Sequence, residues 1–498
     1  MRSRPTSGSL KRTSVASGAL VVAFAVVALT LAWCSRSWPL VHDAPILHYI
    51  AWCIAGGAVP YRDAFDMNQP GVYVLHLAVL KTLGAGDLGW RIFDLAWLAL
   101  TALGVAAFAA PWGVAAAAGG GLTFATYHLA GGAWQAGQRD FLLCPLLLAG
   151  VLGVARWLES RGGLTSLAWS GAAMGAAVTV KPHAGLLAAA LGVVVVVAAA
   201  RGGVAVLIPA VLVYGATALL APAGMLAWLA TAGALGAWRE IVFAYLLPLY
   251  SRLGRDTPWA LHRWQLWIPL LLGAGLSLAA AWRARHFGVR HGLALLGLAY
   301  GILHYVGQGK FWEYHLYPLA AFASVLLFSE LAPALAARRV VAAPLLLSIM
   351  AALVLLTLKG AEASPAYWER AKAARVDALV RELAPRLFPG DTVQMLDTSD
   401  GGAHALLRLH AKQPTRFVYD FHFFHDVDTP IVRALRAELV RGLDARPPRF
   451  VVLFEQGWPA GGYDRIGTFP ELAERLAARY DASEPLEGVR VYAKRHDP

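Results

Sequence analysis

The chain alternates long apolar runs with short polar connections that carry arginine. Runs without a charged residue recur between residues 15 and 358. A helix rises about 1.5 Å per residue, so about 20 apolar residues cross the roughly 30 Å hydrocarbon core of a bilayer. The pattern predicts roughly eleven transmembrane helices, at about 15–33, 90–110, 113–129, 141–157, 165–181, 183–200, 203–221, 264–282, 292–306, 316–332 and 340–358.

Composition supports a membrane protein and excludes a soluble globular enzyme. The chain has 498 residues, of which 58% are hydrophobic and only 15% are charged, with a mean hydropathy of +0.53. Soluble chains average about a quarter charged residues. The basic N-terminus followed by an apolar run resembles a secretory signal. However, Trp33 fits poorly before Cys34 as a lipoprotein cleavage site, and no A-x-A site follows. We therefore expect a retained first transmembrane helix.

The basic connections predict the orientation of the chain. The N-terminus (1–14) and four compact loops are rich in arginine or lysine and poor in acids: 156–163, 200–203, 282–292 and 334–339. The positive-inside rule places these segments in the cytoplasm. The segment 35–89 then lies outside, and its helical piece 71–84 lies along the membrane surface. An odd number of spans leaves the C-terminus outside as well. Whether 223–263 crosses the membrane is left open.

The last part of the chain has a different character. Residues 361–498 carry most of the acids and predict a small water-soluble α/β domain, which follows a transmembrane domain at 15–360. Strands are predicted at 391–397, 415–421, 449–455 and 488–495, and helices at 404–410, 428–443 and 469–480. The fold class is thus an all-α polytopic membrane protein with a C-terminal extracytoplasmic α/β domain.

Ionisable side chains cluster on the predicted outer side of the membrane. The carboxylates are Asp43, Asp63, Asp66 and Asp140, and the cations are Arg62, Arg139, Lys181, Arg263 and Lys310. A polyprenyl-phosphate sugar holds its tail in lipid and its phosphate at the interface. Transfer of the sugar needs a base for the acceptor hydroxyl and cations for the leaving phosphate. Much of the net charge of +12 comes from loop arginines that fix the orientation and contact anionic lipid head groups, and no nucleic-acid motif or zinc spacing is present.

The order of these residues resembles that of the C-type integral membrane glycosyltransferases. This superfamily includes protein mannosyltransferases, the aminoarabinose transferases of lipid A and bacterial relatives acting on lipopolysaccharide. The matching positions are Asp43, Tyr49, Gly57, Pro60, Tyr61, Arg62, Asp63, Gln69, Pro70, Asp140, Lys181, Pro182 and the stretch 309–318. Many relatives have Asp-Glu where this chain has Asp43 and Ala44. They also have Lys-Pro-Pro where this chain has Asn68, Gln69 and Pro70.

The resemblance implies a function and a role for each candidate residue. The protein would transfer a sugar, with inversion, from a polyprenyl-phosphate donor to a lipid, glycan or protein acceptor outside the bacterial inner membrane. Asp43 would be the general base, and Asp140 would position the acceptor or share a cation with it. The substrate-binding residues would be Arg62, Asp63, Arg139, Lys181, Lys310, Tyr314 and His315. No cofactor is fixed, because family members differ in their need for a divalent cation, which Asp43 and Asp140 would hold.

Simpler interpretations stay open for the same residues. Asp43 and Asp140 are suited to capping helices, and Asp63 to pairing with Arg62. Lys181, Lys310 and Tyr314 are also typical of the membrane interface, and His304 of a bonded core histidine. A transporter or flippase of a lipid-linked or polar solute would use similar groups, but would place them near mid-span in repeated halves. A non-catalytic scaffold whose tail binds a partner is a further alternative.

Overall fold

The computed structural model describes residues 7–160, 163–255, 264–363 and 367–495. Its helices are, in chain order, α1 (Ser7–Cys34), α2 (Asp43–Ala55), α3 (Pro70–Thr82), α4 (Asp87–Ala109), α5 (Val114–Ala130), α6 (Arg139–Leu158), α7 (Gly163–Val180), α8 (Ala184–Ala200), α9 (Val204–Thr231), α10 (Leu235–Glu240), α11 (Trp264–Arg283), α12 (Val289–Gln308), α13 (Tyr317–Leu327), α14 (Leu331–Ala336), α15 (Ala342–Ala363), α16 (Tyr367–Leu383), α17 (Gly402–Leu409), α18 (Pro430–Ala445) and α19 (Pro470–Arg479). The strands are β1 (Val393–Leu396), β2 (Phe450–Phe454), β3 (Tyr480–Ala482) and β4 (Val489–Lys494).

A helix is present at each of the eleven predicted transmembrane positions. Within the described ranges, eight helical stretches are long and apolar enough to cross a membrane by length and composition. The other three positions correspond to α5, α8 and α12, of which the first two have 17 residues each. The predicted polytopic helical fold is therefore confirmed.

The helices form two compact units. The first unit comprises 1–37, 91–224 and 256–364, and the second comprises 38–90, 225–255 and 365–498. In the first unit, small residues let helix backbones approach closely, as is common in membrane proteins. The Ser170 hydroxyl of α7 donates to the Gly150 carbonyl of α6 at 2.6 Å. A side-chain carbon at Gly301 of α12 would lie 2.6 Å from the Leu319 Cα of α13. These contacts fix α6 against α7 and α12 against α13.

The second unit contains a four-stranded sheet of order β1-β2-β4-β3. Strands β1 and β2 are parallel, whereas β4 pairs antiparallel with both β2 and β3. The strands β1 and β2 are fully buried. The sequence of β2 is apolar throughout, as is typical of a buried strand, whereas β1 includes Gln394, whose side-chain amide donates to Gln413 Oε1 and to the Phe417 carbonyl. Helices α17, α18 and α19 lie at the three predicted positions.

One predicted strand is absent, and one short strand was not predicted. Residues 415–421 form no ladder; Phe417 makes an isolated bridge with Phe65, and Lys412 makes another with Thr392 beside β1. The prediction of a strand at 415–421 was therefore wrong, because this segment is hydrogen-bonded to the loop that ends at Phe65. Strand β3 has only three residues and owes its extended form to pairing with β4.

Candidate functional site

The first unit contains a buried ion pair between two of the predicted site residues. Lys181 follows the last residue of α7, and its Nζ donates to both carboxylate oxygens of Asp140, at 2.8 and 2.7 Å. Asp140 is fully buried, and Lys181 is 7% exposed. Asp140 is the second residue of α6, where the helix dipole favours a negative charge. The N-cap position is held by Gln138, so Asp140 does not cap the helix.

His304 of α12 completes this cluster. Its Nε2 contacts Asp140 Oδ1, and its Nδ1 lies 3.3 Å from the Tyr300 hydroxyl. The ring of His183 packs edge-on against that of His304, with centroids 5.6 Å apart. His304 is therefore a bonded core histidine, but its partner is a candidate functional carboxylate. We name the set Asp140, Lys181, His304 and Tyr300 the buried polar cluster.

The segment 309–316 lies beside the cluster. Its 3₁₀ turn, Glu313–Leu316, packs against α6 and α12. His315 is buried and interacts electrostatically with Lys181, Asp140 and Arg139. Among the described residues, no hydrogen-bond partner is found for His315 Nδ1. The structure thus brings His315 and Arg139 into the surroundings of the Asp140–Lys181 pair.

Two other predicted residues belong to the same segment. Lys310 is buried, with its Nζ 5.1 Å from the centre of the Trp312 ring. The Tyr314 ring packs edge-on against Trp134 at 5.9 Å and against His315 at 4.7 Å. Glu313 forms a buried ion pair with Lys359 of α15, which anchors the segment to that helix.

The contacts of Asp140 do not fit a divalent metal ion. Both oxygens accept hydrogen bonds from the Lys181 ammonium, which would repel a metal cation at that position. Across the described part of the chain, no group of three or more His, Cys, Asp or Glu side chains is arranged to hold a metal. We therefore assign no chemical step to a metal.

Asp43 belongs to the second unit, where it is the first residue of α2 and is half-buried. The N-cap position is held by His42, which makes no side-chain capping bond. Burial, together with the smaller effect of the Lys372 ammonium at 3.5 Å, lowers the pKa of His42 to about 3. The imidazole beside Asp43 is thus neutral. The geometry places this carboxylate at a helix entrance, as predicted, without using it as a cap.

Arg62 and Asp63 form an exposed two-pronged ion pair in the second unit. Arg62 Nε and Nη2 donate to the two Asp63 oxygens at 2.9 Å each, and the Val59 N–H donates to Asp63 Oδ2 at 2.8 Å. These bonds from Arg62 hold the pKa of Asp63 below its usual value. The turn and pairing role anticipated for Asp63 is present. Asp66, by contrast, is buried and bonded to Asn68 and Tyr73.

Some predicted residues are not covered, and some were missed. Arg263 lies outside the described residues, as do the N-terminal Arg2 and Arg4. Sequence reasoning did not connect His304 and Tyr300 with Asp140. The available signal was the four-residue spacing of two polar side chains inside an apolar helix, which puts both on one face.

Comparison with known proteins gives matches in structure only. No protein-family model matches the chain, and no curated protein sequence matches it. ArnT from Cupriavidus metallidurans bound to undecaprenyl phosphate is similar over 95% of this chain and 97% of its own, with a TM-score of 0.59 and 15% identity. The same protein in the apo state gives a TM-score of 0.55 at 16% identity, over 96% of this chain and 98% of its own.

A second solved protein has a similar fold. The Archaeoglobus fulgidus oligosaccharyltransferase in its apo form matches 96% of this chain and 74% of its own, with a TM-score of 0.53 and 14% identity. Both matches run through the membrane helices and the C-terminal sheet, since they cover nearly all of this chain. The chain therefore has the fold that these solved proteins share.

Proposed function

We propose that this protein is a membrane glycosyltransferase that takes a sugar from a polyprenyl-phosphate donor and passes it to an acceptor hydroxyl. The observation that carries the proposal is the buried Asp140–Lys181 pair, in a fold shared with an ArnT structure that holds undecaprenyl phosphate. A buried lysine is costly, and it is retained where its charge is used.

The cluster suits the binding of a phosphate. An ammonium group has three donors, and in the complex with the donor lipid Lys181 would share them between the Asp140 carboxylate and a phosphate oxygen. Asp140 would then act as a positioning residue that aims Lys181, and His304 would in turn orient Asp140. Arg139, Lys310 and His315 would add donors to the same phosphate, with Tyr314 packing beside His315.

The reaction itself requires a base near the acceptor. The acceptor oxygen attacks the anomeric carbon of the sugar, the bond from that carbon to the phosphate oxygen breaks, and the electron pair leaves with the phosphate. Direct displacement inverts the anomeric centre. Asp43 would receive the hydroxyl proton, because the neutral His42 beside it offers no competing positive charge. Lys181 would stabilise the charge that develops on the leaving phosphate.

The proposal includes a location. The arginine-rich connections support an orientation in the bacterial inner membrane with the donor phosphate, the segment 35–89 and the domain 361–498 on the extracytoplasmic side. The acceptor would be a glycan, lipid or protein of the cell envelope. A transporter of the same lipid would bind the phosphate equally well but would break no bond.

The test is the Asp43→Asn variant, which keeps the size of the side chain and removes the base. The assay would follow release of undecaprenyl phosphate from undecaprenyl-phosphate sugars in nanodiscs supplied with cell-envelope acceptor. We expect turnover to fall at least about a hundredfold with donor binding retained. Asp464→Asn, an exposed carboxylate of the same unit, is the control. A wild-type protein that binds the donors but never releases undecaprenyl phosphate would support the transporter instead.

A further inference from the structure

A cavity in the second unit has the features of a separate ligand site. Its volume is about 500 Å³, which is within the usual range for small-molecule pockets. Three parts of the chain line it: the end of α2 with the loop to Ala64, the segment 412–418, and the outer face of α18. All three belong to the same unit. The buried polar cluster contributes no residue to this cavity, which we name the basic cavity.

The walls of the basic cavity are held in place by hydrogen bonds between these segments. The Phe65 N–H donates to the Arg416 carbonyl at 2.7 Å, and the Gln413 N–H donates to the Tyr49 hydroxyl at 3.1 Å. Arg446 Nη2 donates to the Pro414 carbonyl at 2.5 Å. Because these bonds join the three segments directly to one another, little ordering is required when a ligand binds.

The charges that line the cavity are unbalanced. Four cationic side chains and two carboxylates line it: Arg62, Lys412, Arg416, Arg446, Asp63 and Glu438. Each carboxylate is paired with one arginine, since Arg62 binds Asp63 at 2.9 Å and Arg416 binds Glu438 at 2.7 Å. For Lys412 and Arg446, no carboxylate lies within ion-pair distance among the described residues. Two cations therefore remain to hold an anionic group.

Both cations lie close to the wall formed by the end of α2 and the loop to Ala64. A side-chain carbon at Gly56 would be 3.8 Å from Lys412 Nζ, and Arg446 acts electrostatically on Asp63. Gly57 has a φ of +93°, a backbone conformation that favours glycine, so the loop turns sharply beside Lys412 without a side chain filling the space. Cys53 is no nucleophile here, because burial raises the pKa of its thiol to about 11.

We propose that the basic cavity binds an anionic saccharide, which is a segment of the acceptor glycan bearing a carboxylate or a phosphate. Lys412 and Arg446 would hold the anionic group, and the paired Asp63 and Glu438 would accept hydrogen bonds from sugar hydroxyls. The presence of two carboxylates makes the cavity unsuited to a dense polyanion. The mainly polar lining makes it unsuited to a lipid tail. The identification of this saccharide as part of the acceptor rests on the proposed function, whereas the binding of an anionic saccharide does not.

The experiment measures binding to the full-length protein in nanodiscs by calorimetry. Three probes separate the chemistry: trigalacturonate carries carboxylates, glucose 1,6-bisphosphate carries phosphates, and maltotriose is neutral. We expect saturable binding of one anionic probe, at least about tenfold tighter than that of maltotriose. The anionic probe that binds identifies the charged group of the acceptor. If neither anionic probe binds, or maltotriose binds as well as they do, the proposal is overturned.

A variant series assigns the binding to this cavity. The double variant Lys412→Ala, Arg446→Ala should lower the affinity for the anionic probe at least tenfold. Arg441→Ala is the matched control, because Arg441 is exposed on α18, the helix that ends just before Arg446, and does not line the cavity. If the double alanine variant is unstable, Lys412→Gln with Arg446→Gln replaces it. Equal affinity in the double variant and the control would overturn the proposal.

The two proposals fail in different ways. If Lys181 variants lose undecaprenyl phosphate binding but no saccharide binds to any form of the protein, the proposed function stands and only the saccharide site is refuted. If saccharide binding depends on Lys412 and Arg446 but the protein transfers no sugar, the saccharide site stands and the proposed transferase activity is refuted. In an active enzyme, the double variant should raise the KM for acceptor and leave the KM for donor unchanged.

Discussion

The Asp140–Lys181 pair makes a prediction that separates binding from stability. Lys181→Met removes the cation and leaves the Asp140 carboxylate buried beside His304. Removing one partner of a buried pair costs about 3–5 kcal/mol, because the other charge is left uncompensated. Replacing both partners with neutral groups, as in Asp140→Asn with Lys181→Met, is often near neutral. We expect the double variant to be more stable than the single lysine variant.

The affinity for the donor lipid should not follow the order of stability among these variants. A hydrogen bond to a charged group contributes about 1.5–3 kcal/mol, which corresponds to roughly a 10- to 150-fold loss in affinity for undecaprenyl phosphate. Because the phosphate contact is made by Lys181 itself, the double variant should recover stability and still bind the lipid weakly. The assay pairs thermal unfolding with binding of undecaprenyl phosphate in nanodiscs.

A second ion pair on the same helices serves as the control. Arg290 at the start of α12 binds Glu159 just after α6, at 2.8 and 3.0 Å, and so lies at the opposite ends of the helices that carry His304 and Asp140. Glu159→Gln should lower stability without changing lipid affinity. If the Asp140→Asn, Lys181→Met protein binds undecaprenyl phosphate like the wild type, Lys181 has only a structural role and the phosphate site is elsewhere.

Two further predictions concern the membrane unit and the topology. Gly301→Ala should destabilise the protein and lower donor binding, since the new carbon would lie 2.6–2.7 Å from the Leu319 backbone. Gly307→Ala on the same helix is the control, because its new carbon has no neighbour within 4 Å, and it should leave thermal unfolding unchanged. A reporter that is active only in the periplasm should be active when fused after residue 498, and activity of a cytoplasmic reporter there would contradict the orientation and with it the outer location of the site.

The apolar pattern predicted the helices well because each transmembrane helix is specified locally. A charge-free run long enough to span has no other stable form in a bilayer, so its sequence alone predicts a helix. Asp140 and Lys181 were selected because the predicted topology places both on the outer side of the membrane, and because both match positions of the family that the chain resembles.

The sequence did not predict which of these residues meet. Asp140 and Lys181 are 41 positions apart, and Asp140 and His304 are 164 apart. Their contacts depend on how closely α6, α7 and α12 pack, and that is decided by glycines and serines spread over several runs. The strand expected at 415–421 failed for a related reason, since its partner proved to be the distant loop at Phe65. Pairing between remote segments is not encoded in local periodicity.

The C-terminal sheet makes a pH-dependent contribution to stability that local sequence could not have indicated. Asp397 follows β1 and accepts hydrogen bonds from the N–H groups of Asp400, Gly401 and Gly402. Burial, with a smaller contribution from the nearby Asp400 carboxylate, raises its pKa from 3.8 to about 6. Because the folded state holds this proton more tightly than the unfolded state, stability falls as pH rises from about 4 to 6. The loss above pH 6 is about 3 kcal/mol, since each unit of pKa corresponds to about 1.4 kcal/mol.

Asp397→Asn removes this titration and keeps one oxygen that can accept the same N–H groups. Other groups titrate in this range, and the neutral buried His42 acts with the opposite sign, so the difference between variant and wild type is the informative quantity. Hydrogen exchange of the β1 peptides in the full-length protein should show Asp397→Asn gaining stability relative to wild type between pH 4.5 and 7. The exposed Asp464→Asn should show no such gain. The reasoning would be refuted if the stability difference between Asp397→Asn and wild type did not vary with pH. The backbone hydrogen bonds would then keep the carboxylate ionised and outweigh the cost of its burial.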